Sequence, residues 1–132
     1  MPWFGKKKPA PIRSLVCEGT VVQGHVRFVE GLRIDGEVQG DVTCDGERSL
    51  LVISEKARVC GKVKAGHVII NGEVRGPITA LELLELQPGA RVTGDVRYEL
   101  LEMHQGAMVE GELRPLKSTD KPALKLAASN DV

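Results

Sequence analysis

Aliphatic and polar residues alternate around a glycine in a five-residue pattern that recurs along the chain. The pattern, called here the frame motif, is aliphatic-x-Gly-x-aliphatic, and its first position is Val in every copy. A period of two predicts a β-strand in which positions one, three and five face inward and the x positions face solvent. The chain contains six copies: 22–26, 38–42, 59–63, 74–78, 92–96 and 109–113.

The spacing of the copies predicts a solenoid. The central glycines lie at 24, 40, 61, 76, 94 and 111, so the intervals are 16, 21, 15, 18 and 17 residues. Repeats of this length are typical of solenoids, in which each turn buries its apolar face by stacking on its neighbours. A second alternating segment between copies, such as 32–34 or 84–86, predicts a further strand. Short corners (35–37 and 71–73) and longer ones (54–58, 87–91 and 104–108) carry turn residues such as Asp-Gly, Asn-Gly and Pro-Gly.

These features predict an all-β, single-domain, right-handed parallel β-helix of about six turns. At 3.3 Å per residue, a turn of about 17 residues has a perimeter of ~56 Å, which suits a triangular coil of three short strands. Six turns spaced by ~4.8 Å give a rod about 29 Å long. The left-handed β-helix of hexapeptide-repeat acyltransferases requires an aliphatic residue every six positions, whereas Ile34, Val38 and Val42 are four apart.

Composition and charge narrow the functional classes. The chain has 132 residues and only four aromatic residues, so its core is built from Val, Ile and Leu. The formal net charge of zero offers no general attraction for DNA or RNA. Cys17, Cys44 and Cys60 show no metal-type spacing, which indicates reduced thiols in a cytoplasmic protein. The sequence has neither a signal-peptide core nor an apolar run of the ~20 residues that a spanning helix needs.

The segments on either side of the repeats differ from them in composition. Residues 1–13 are rich in Pro and Lys, and we predict a disordered arm. Aromatic residues favour the bilayer interface, and each Lys near an anionic surface contributes about 1 kcal/mol. The arm is therefore a candidate membrane-binding peptide, although a solvated leader has the same composition. The candidate membrane-binding residues are Trp3, Phe4, Lys6, Lys7 and Lys8.

The ends of the repeat array, residues 14–115, lack an evident cap. Soluble solenoids usually cover their terminal turns with polar residues, because an open end exposes backbone and core. Residues 116–132 contain Pro122 and many small polar residues, so we predict a disordered tail. Open ends on a parallel rod favour end-to-end addition, and contacts between like ends give a filament without polarity. The alternative is that the tails fold back and keep the rod monomeric.

The repeats, the corners at 32–42 and 70–76 and the short tails resemble those of the bactofilins. These are bacterial polymer-forming cytoskeletal proteins. The resemblance implies a right-handed β-helix that polymerises without nucleotide into non-polar filaments and positions cell-wall enzymes or other cell-shape machinery. It also implies attachment to the inner membrane through an N-terminal peptide, and filament joints at apolar residues of the terminal turns. In this chain, the candidate joint residues are Leu15, Val16, Val21, Val22, Met108, Val109, Leu113 and Leu116.

The sequence does not predict an enzyme. Acid–base chemistry needs groups that converge in a cleft, and nothing in the repeat places His25, His67 and His104 near one another. The glycines are spaced for turns, and no GxxxxGK[ST] phosphate loop is present. We therefore predict no catalytic site, cofactor, bound nucleotide or metal. The functional classes that remain are a structural polymer and a monomeric binding module that recognises a protein or glycan on its outward faces.

Overall fold

The computed structural model describes residues 10–44 and 48–116, and this part of the chain is all-β, without a helix. Alternating aliphatic residues form short strands that are separated by glycine or turn residues. The strands are β1 (Ser14–Val16), β2 (Val21–Gln23), β3 (Val26–Arg27), β4 (Gly31–Ile34), β5 (Glu37–Gln39), β6 (Val42–Thr43), β7 (Leu50–Ile53), β8 (Arg58–Cys60), β9 (Val63–Ile70), β10 (Glu73–Arg75), β11 (Ile78–Leu86), β12 (Arg91–Thr93), β13 (Val96–Met103), β14 (Met108–Glu110) and β15 (Leu113–Pro115).

The strands form two parallel sheets that wind together as a solenoid of about six turns. The six-stranded sheet, called here the frame sheet, has the order β14-β12-β10-β8-β5-β2. The nine-stranded sheet contains the other strands and bends into two faces, with a register shift between Ala80 and Leu83. Each turn thus contributes one strand to the frame sheet and one strand segment to each face of the bent sheet. The predicted all-β parallel solenoid of about six turns is confirmed, while its right-handedness stays a prediction.

Equivalent residues of successive turns stack in ladders along the coil. The first Val of the frame motif forms the ladder Val22, Val38, Val59, Val74, Val92 and Val109. The last aliphatic forms the ladder Val26, Val42, Val63, Ile78, Val96 and Leu113. Because both ladders face inward, the members in the middle of the coil are fully buried.

The frame motif is not one strand, as the sequence predicted, but two strands that meet at a corner. Val38 belongs to the frame sheet and Val42 to the bent sheet. The glycine between them has a positive φ, which L side chains rarely adopt. The stacking of the turns also leaves no room for a side chain at this position, since a Cβ on Gly94 would lie 2.6 Å from the carbonyl oxygen of Gly76. The glycine is therefore fixed by a backbone corner and by close contact between turns.

The core of the described residues is mainly aliphatic, as the scarcity of aromatic residues indicated, and it also contains Phe28, Tyr98 and Cys44. Its largest fully buried side chains include Ile34, Leu51, Ile70 and Leu84. Ser49 is the one buried polar residue in this part of the chain, and its Oγ accepts a 2.8 Å hydrogen bond from the backbone N–H of Gly66. This bond satisfies a donor that would otherwise be buried without a partner.

Candidate polymer interface

The first turn of the coil is an open end among the described residues. Its strands β1, β2 and β3 pair only with the turn above, through β4, β5 and β6. The inward residues of this turn pack on the core but stay partly exposed, because no described strand covers their other side. These residues are Val16, Val22 and Val26, which stack on Ile34, Val38 and Val42.

The last turn is open in the same way. Strand β14 pairs only with β12, β15 only with β13, and the second half of β13 only with β11. Met103 is 43% exposed although its neighbour in the ladder, Leu86, is fully buried. The inward residues at this end are Leu101, Met103, Ala107, Val109 and Leu113.

The eight predicted joint residues fall into different groups. Val16, Val22, Val109 and Leu113 belong to the inward ladders at the two ends. Leu116 follows β15, and its N–H donates a 2.6 Å hydrogen bond to the carbonyl oxygen of Tyr98. The outward group is Leu15, Val21 and Met108, which are 52%, 53% and 57% exposed and lie opposite Arg33, Glu37 and Arg91.

Sequence reasoning missed four inward residues at the ends: Val26, Leu101, Met103 and Ala107. Val26 is the last aliphatic of the first frame motif, so the frame itself could have identified it. Leu101 and Met103 continue the inward positions of the second alternating segment, where Leu84 and Leu86 stand one turn earlier. A ladder-by-ladder reading of the repeat would therefore have found these residues, whereas proximity to the termini selected outward residues as well.

Charged residues lie on the outer surface beside the open ends. At the last turn, Arg114 Nε donates a 2.6 Å hydrogen bond to Glu112 Oε1. Beside the first turn, Glu18 Oε2 lies 3.5 Å from Nζ of Lys56, which comes from the corner between β7 and β8. Exposed pairs of this kind contribute little to stability, typically below about 1 kcal/mol. They do place polar groups beside the apolar centre of each end, as in the polar rim of a protein interface.

Two carboxylates at the corners are held in their charged form. The hydrogen bond from Ser54 Oγ lowers the pKa of Asp35 below its ordinary 3.8, and Arg33 lowers it further. The hydrogen bond from Arg75 lowers the pKa of Glu73, with additional attraction from Arg58 and Arg91. Both groups therefore contribute fixed negative charge and link the corners of the coil.

The sequence predicted that the three histidines lie apart, but the structure brings two of them close together. His25 is exposed and outward, and its Nε2 lies 2.8 Å from Thr43 Oγ1. His67 and His104 both approach Glu85, at 3.8 and 3.7 Å, because parallel stacking brings successive turns into contact. The prediction of separate histidines is therefore wrong for this pair.

Trp3, Phe4, Lys6, Lys7 and Lys8 lie outside the described residues, so their membrane role stays a prediction. Residues 10–44 and 48–116 contain no helix that is long and apolar enough to cross a membrane.

A comparison with protein-family models identifies this coil. The model described as Bactofilin, polymer-forming cytoskeletal, matches residues 14–114, which is more than half of the chain. Searches of curated proteins and of solved structures found no match. The matched range begins at β1 and ends within β15, so it spans both open ends. The chain therefore belongs to the bactofilin family, a structural family of polymer-forming cytoskeletal proteins.

Proposed function

We propose that this protein assembles end to end, without nucleotide, into non-polar filaments. These filaments lie at the inner face of the cytoplasmic membrane and position cell-wall or cell-shape machinery. The observation that carries the proposal is the pair of open ends, where inward ladders of the core stop at partly exposed aliphatic residues. Family membership supports self-association of this protein.

The energetics favour contact between ends. Each half-buried aliphatic side chain that becomes fully covered contributes about 1 kcal/mol. Association costs about 4–15 kcal/mol in lost translational and rotational freedom, so the number of side chains that a joint covers decides its strength. The first turn supplies three inward residues and the last turn five. Like-end contacts would thus cover six residues at one joint and ten at the other, so we expect the joint between two last turns to be the stronger.

Electron microscopy of substituted proteins tests the axial joint. The purified protein, without nucleotide, is compared by negative stain with Leu113→Arg, which places a charge on an inward ladder of the last turn. The matched control is Met108→Arg, an outward position in the same turn. We expect filaments in the unsubstituted protein and in the control. In Leu113→Arg we expect no species larger than a dimer joined at the first turn, with β-rich circular dichroism retained. The same comparison is made at the first turn. There Val22→Arg should prevent the joint between two first turns, and the outward Val21→Arg is its control.

Monodisperse rods in the unsubstituted protein would overturn the polymer and favour a binding module that uses outward faces. Loss of filaments in Met108→Arg but not in Leu113→Arg would mean that association is lateral.

Cross-linking tests filament polarity. Cys17 is exposed and lies next to β1 of the first turn. In a Cys60→Ser background, a long bis-maleimide should join Cys17 to Cys17 and give covalent dimers if like ends meet. A contact between the first turn of one copy and the last turn of the next would leave this cysteine without a matching partner at the joint. Cross-links that form instead between Cys17 and a cysteine introduced by Met108→Cys would contradict the non-polar filament.

Liposome co-sedimentation tests the N-terminal arm. A single arm with two aromatic residues and three lysines binds weakly, whereas many arms on one filament bind through avidity. Deletion of residues 2–8 should abolish sedimentation with anionic vesicles and leave filaments intact. Leu113→Arg, which keeps the arm, should bind much more weakly than the filament. Unchanged sedimentation after the deletion would refute the membrane role of Trp3, Phe4 and the lysines.

The scaffold role is tested in the cell. We expect a chromosomal Leu113→Arg substitution to alter cell shape and to disperse the wall-building enzymes, while Met108→Arg leaves both unchanged. Normal shape and enzyme placement in cells that have lost their filaments would contradict the role in cell-wall organisation.

A further inference from the structure

Two histidines and two glutamates converge on the outward surface of the bent sheet, near the last turn. His67 belongs to β9, Glu85 to β11 and Glu102 to β13, and His104 follows β13 directly. Parallel register places Glu102 opposite Glu85. His104 lies two residues beyond Glu102 and therefore on the same face, since side chains alternate along a strand. His67 lies opposite Leu83, two residues before Glu85 on the same face.

The nitrogen atoms at the centre of this cluster are not engaged in hydrogen bonds. The Nε2 atoms of His67 and His104 are buried and have no hydrogen-bond partner among the described residues. Both point toward carboxylates nonetheless. His67 Nε2 lies 3.8 Å from Glu85 Oε1, and His104 Nε2 lies 3.7 Å from Glu85 Oε2 and 3.3 Å from Glu102 Oε2. Buried polar atoms without partners are uncommon, and two in one cluster point to a ligand.

The spacing fits the edges of a metal coordination shell better than it fits hydrogen bonds. Zn²⁺ binds imidazole nitrogen and carboxylate oxygen at 2.0–2.2 Å, so ligand atoms at the corners of a tetrahedron lie about 3.3 Å apart. The pairs formed by His104 with Glu85 and Glu102 lie at or slightly above this value, and ligand atoms of these three residues all lie within 4.8 Å of one another. His67 Nε2 lies 3.8 Å from Glu85 Oε1 but outside this group of three, so a change in the His67 side-chain conformation would be needed to supply a fourth ligand.

The negative charges of the cluster also favour a bound cation. Like charges directly opposite each other on neighbouring strands are destabilising, and Glu85 and Glu102 stand in that relation. A divalent cation would neutralise both carboxylates. Gln87 Nε2 already donates a hydrogen bond to Glu85 Oε2, an orienting contact of the kind that metal-binding carboxylates commonly receive.

We propose that Glu85, Glu102 and His104 bind Zn²⁺ or a similar late first-row divalent ion, and that the neighbouring His67 turns to supply the fourth ligand. Imidazole with carboxylate is a donor set that suits these ions, whereas Mg²⁺ prefers oxygen ligands alone. The ion would link three consecutive turns through β9, β11 and β13, and so would fasten the last turn to the body of the coil. The site does not depend on the proposed assembly, since all its ligands lie within one chain.

Calorimetry on the full-length protein, freed of metal with a chelator, tests the site. We expect saturable binding of one Zn²⁺ per chain and no binding of Mg²⁺. At 100 times the Kd, Zn²⁺ should raise Tm by about 10 °C or more. Glu85→Gln and His104→Asn should each weaken Zn²⁺ binding at least tenfold. His25→Asn is the matched control, because His25 lies outside the cluster, and it should bind as the unsubstituted protein does.

A thiol site is the main competitor, because Cys17 is exposed. Cys17→Ser should leave the Zn²⁺ affinity unchanged, and X-ray absorption at the zinc edge should show nitrogen and oxygen neighbours without sulfur. X-ray absorption uses the unsubstituted protein, so it remains decisive if a variant fails to fold. Sulfur neighbours, absence of saturable binding, or full affinity in both Glu85→Gln and His104→Asn would overturn the proposal. So would variants that change Tm without Zn²⁺ but bind the ion normally, because that result assigns the cluster a purely structural role.

Discussion

The interior and terminal turns of this coil share one sequence pattern but differ in their neighbours. Val59 and Val74 are fully buried between two turns, whereas Val22 and Val109, at the same frame position, are only partly buried. The frame motif therefore encodes a surface that can be covered on both sides. An open end is this same surface with one side uncovered, which is why the stability of the fold and the capacity to assemble depend on the same residues.

The largest contrast is expected at the frame glycines. Gly61 and Gly24 both have a positive φ, so an alanine costs about 1–3 kcal/mol in backbone strain at either position. At Gly61 the added Cβ would also collide with the carbonyl oxygen of Gly40. At Gly24 it would meet no atom within 4 Å from the other described residues, its two chain neighbours aside. We expect Gly61→Ala to lower the free energy of unfolding by more than about 4 kcal/mol. Urea unfolding in a Val22→Arg/Leu113→Arg background, which removes both joints and keeps the protein monomeric, measures both losses. Equal losses would mean that strain alone fixes these glycines.

A smaller contrast is expected along one ladder of leucines. Leu84 is fully buried between Val68 and Leu101, and Leu101 is partly buried in the last turn. Leu84→Ala should cost about 3 kcal/mol and Leu101→Ala about 1 kcal/mol in the same monomeric background. In otherwise unsubstituted protein, Leu101→Ala should also raise the concentration needed for filaments. A filament threshold that Leu101→Ala does not change would place the joint elsewhere.

The sequence predicted the aliphatic ladders of the core, but it did not predict the frame corners or the side-chain cluster around Glu85. Periodicity identified the aliphatic ladders, because a repeated Val at a fixed frame position can only stack on its own copies. The corner at each frame glycine was missed, since a five-residue alternation is the same for one strand and for two strands at an angle. The cluster around Glu85 was also missed. It combines residues from three turns, and turn lengths of 15 to 21 residues hide the register that brings His67 and His104 together.

Hydrogen bonds between turns should show the same dependence on position. Ser49 Oγ accepts from the buried N–H of Gly66, whereas Asp95 Oδ1 accepts from the exposed N–H of Glu112 at 3.2 Å. Ser49→Ala leaves a buried donor unpaired and should cost about 1–3 kcal/mol. Asp95→Ala leaves a donor that water can satisfy, so we expect a loss below about 1 kcal/mol. Thermal unfolding followed by circular dichroism compares the two variants, and a larger loss for Asp95→Ala would contradict the distinction.

The smallest expected effect depends on pH. Asp35 accepts hydrogen bonds from Ser54 of the next turn and from Arg33, and its pKa in the folded protein is below the ordinary 3.8. A carboxylate with a lowered folded pKa stabilises the protein above its unfolded pKa and loses this contribution as pH falls through the folded value. The gap in unfolding free energy between the unsubstituted protein and Asp35→Asn should therefore be largest above about pH 5 and should shrink below pH 3.8.

Glu112 provides the terminal counterpart of this carboxylate. Its partner Arg114 lies two residues further along the chain rather than on a neighbouring turn, so Glu112→Gln should cost less than about 1 kcal/mol at pH 7. Urea titrations at pH 7 and at about pH 3, again in the monomeric background, separate the two carboxylates. A gap for Asp35→Asn that stayed constant over this interval would mean that the hydrogen bond from Ser54 does not require the charge, and that the amide replaces the carboxylate fully. A gap that closes would show that a charged carboxylate, Asp35, holds two neighbouring turns together at this corner. In the last turn, by contrast, the charged Glu112 pairs with Arg114 of the same turn.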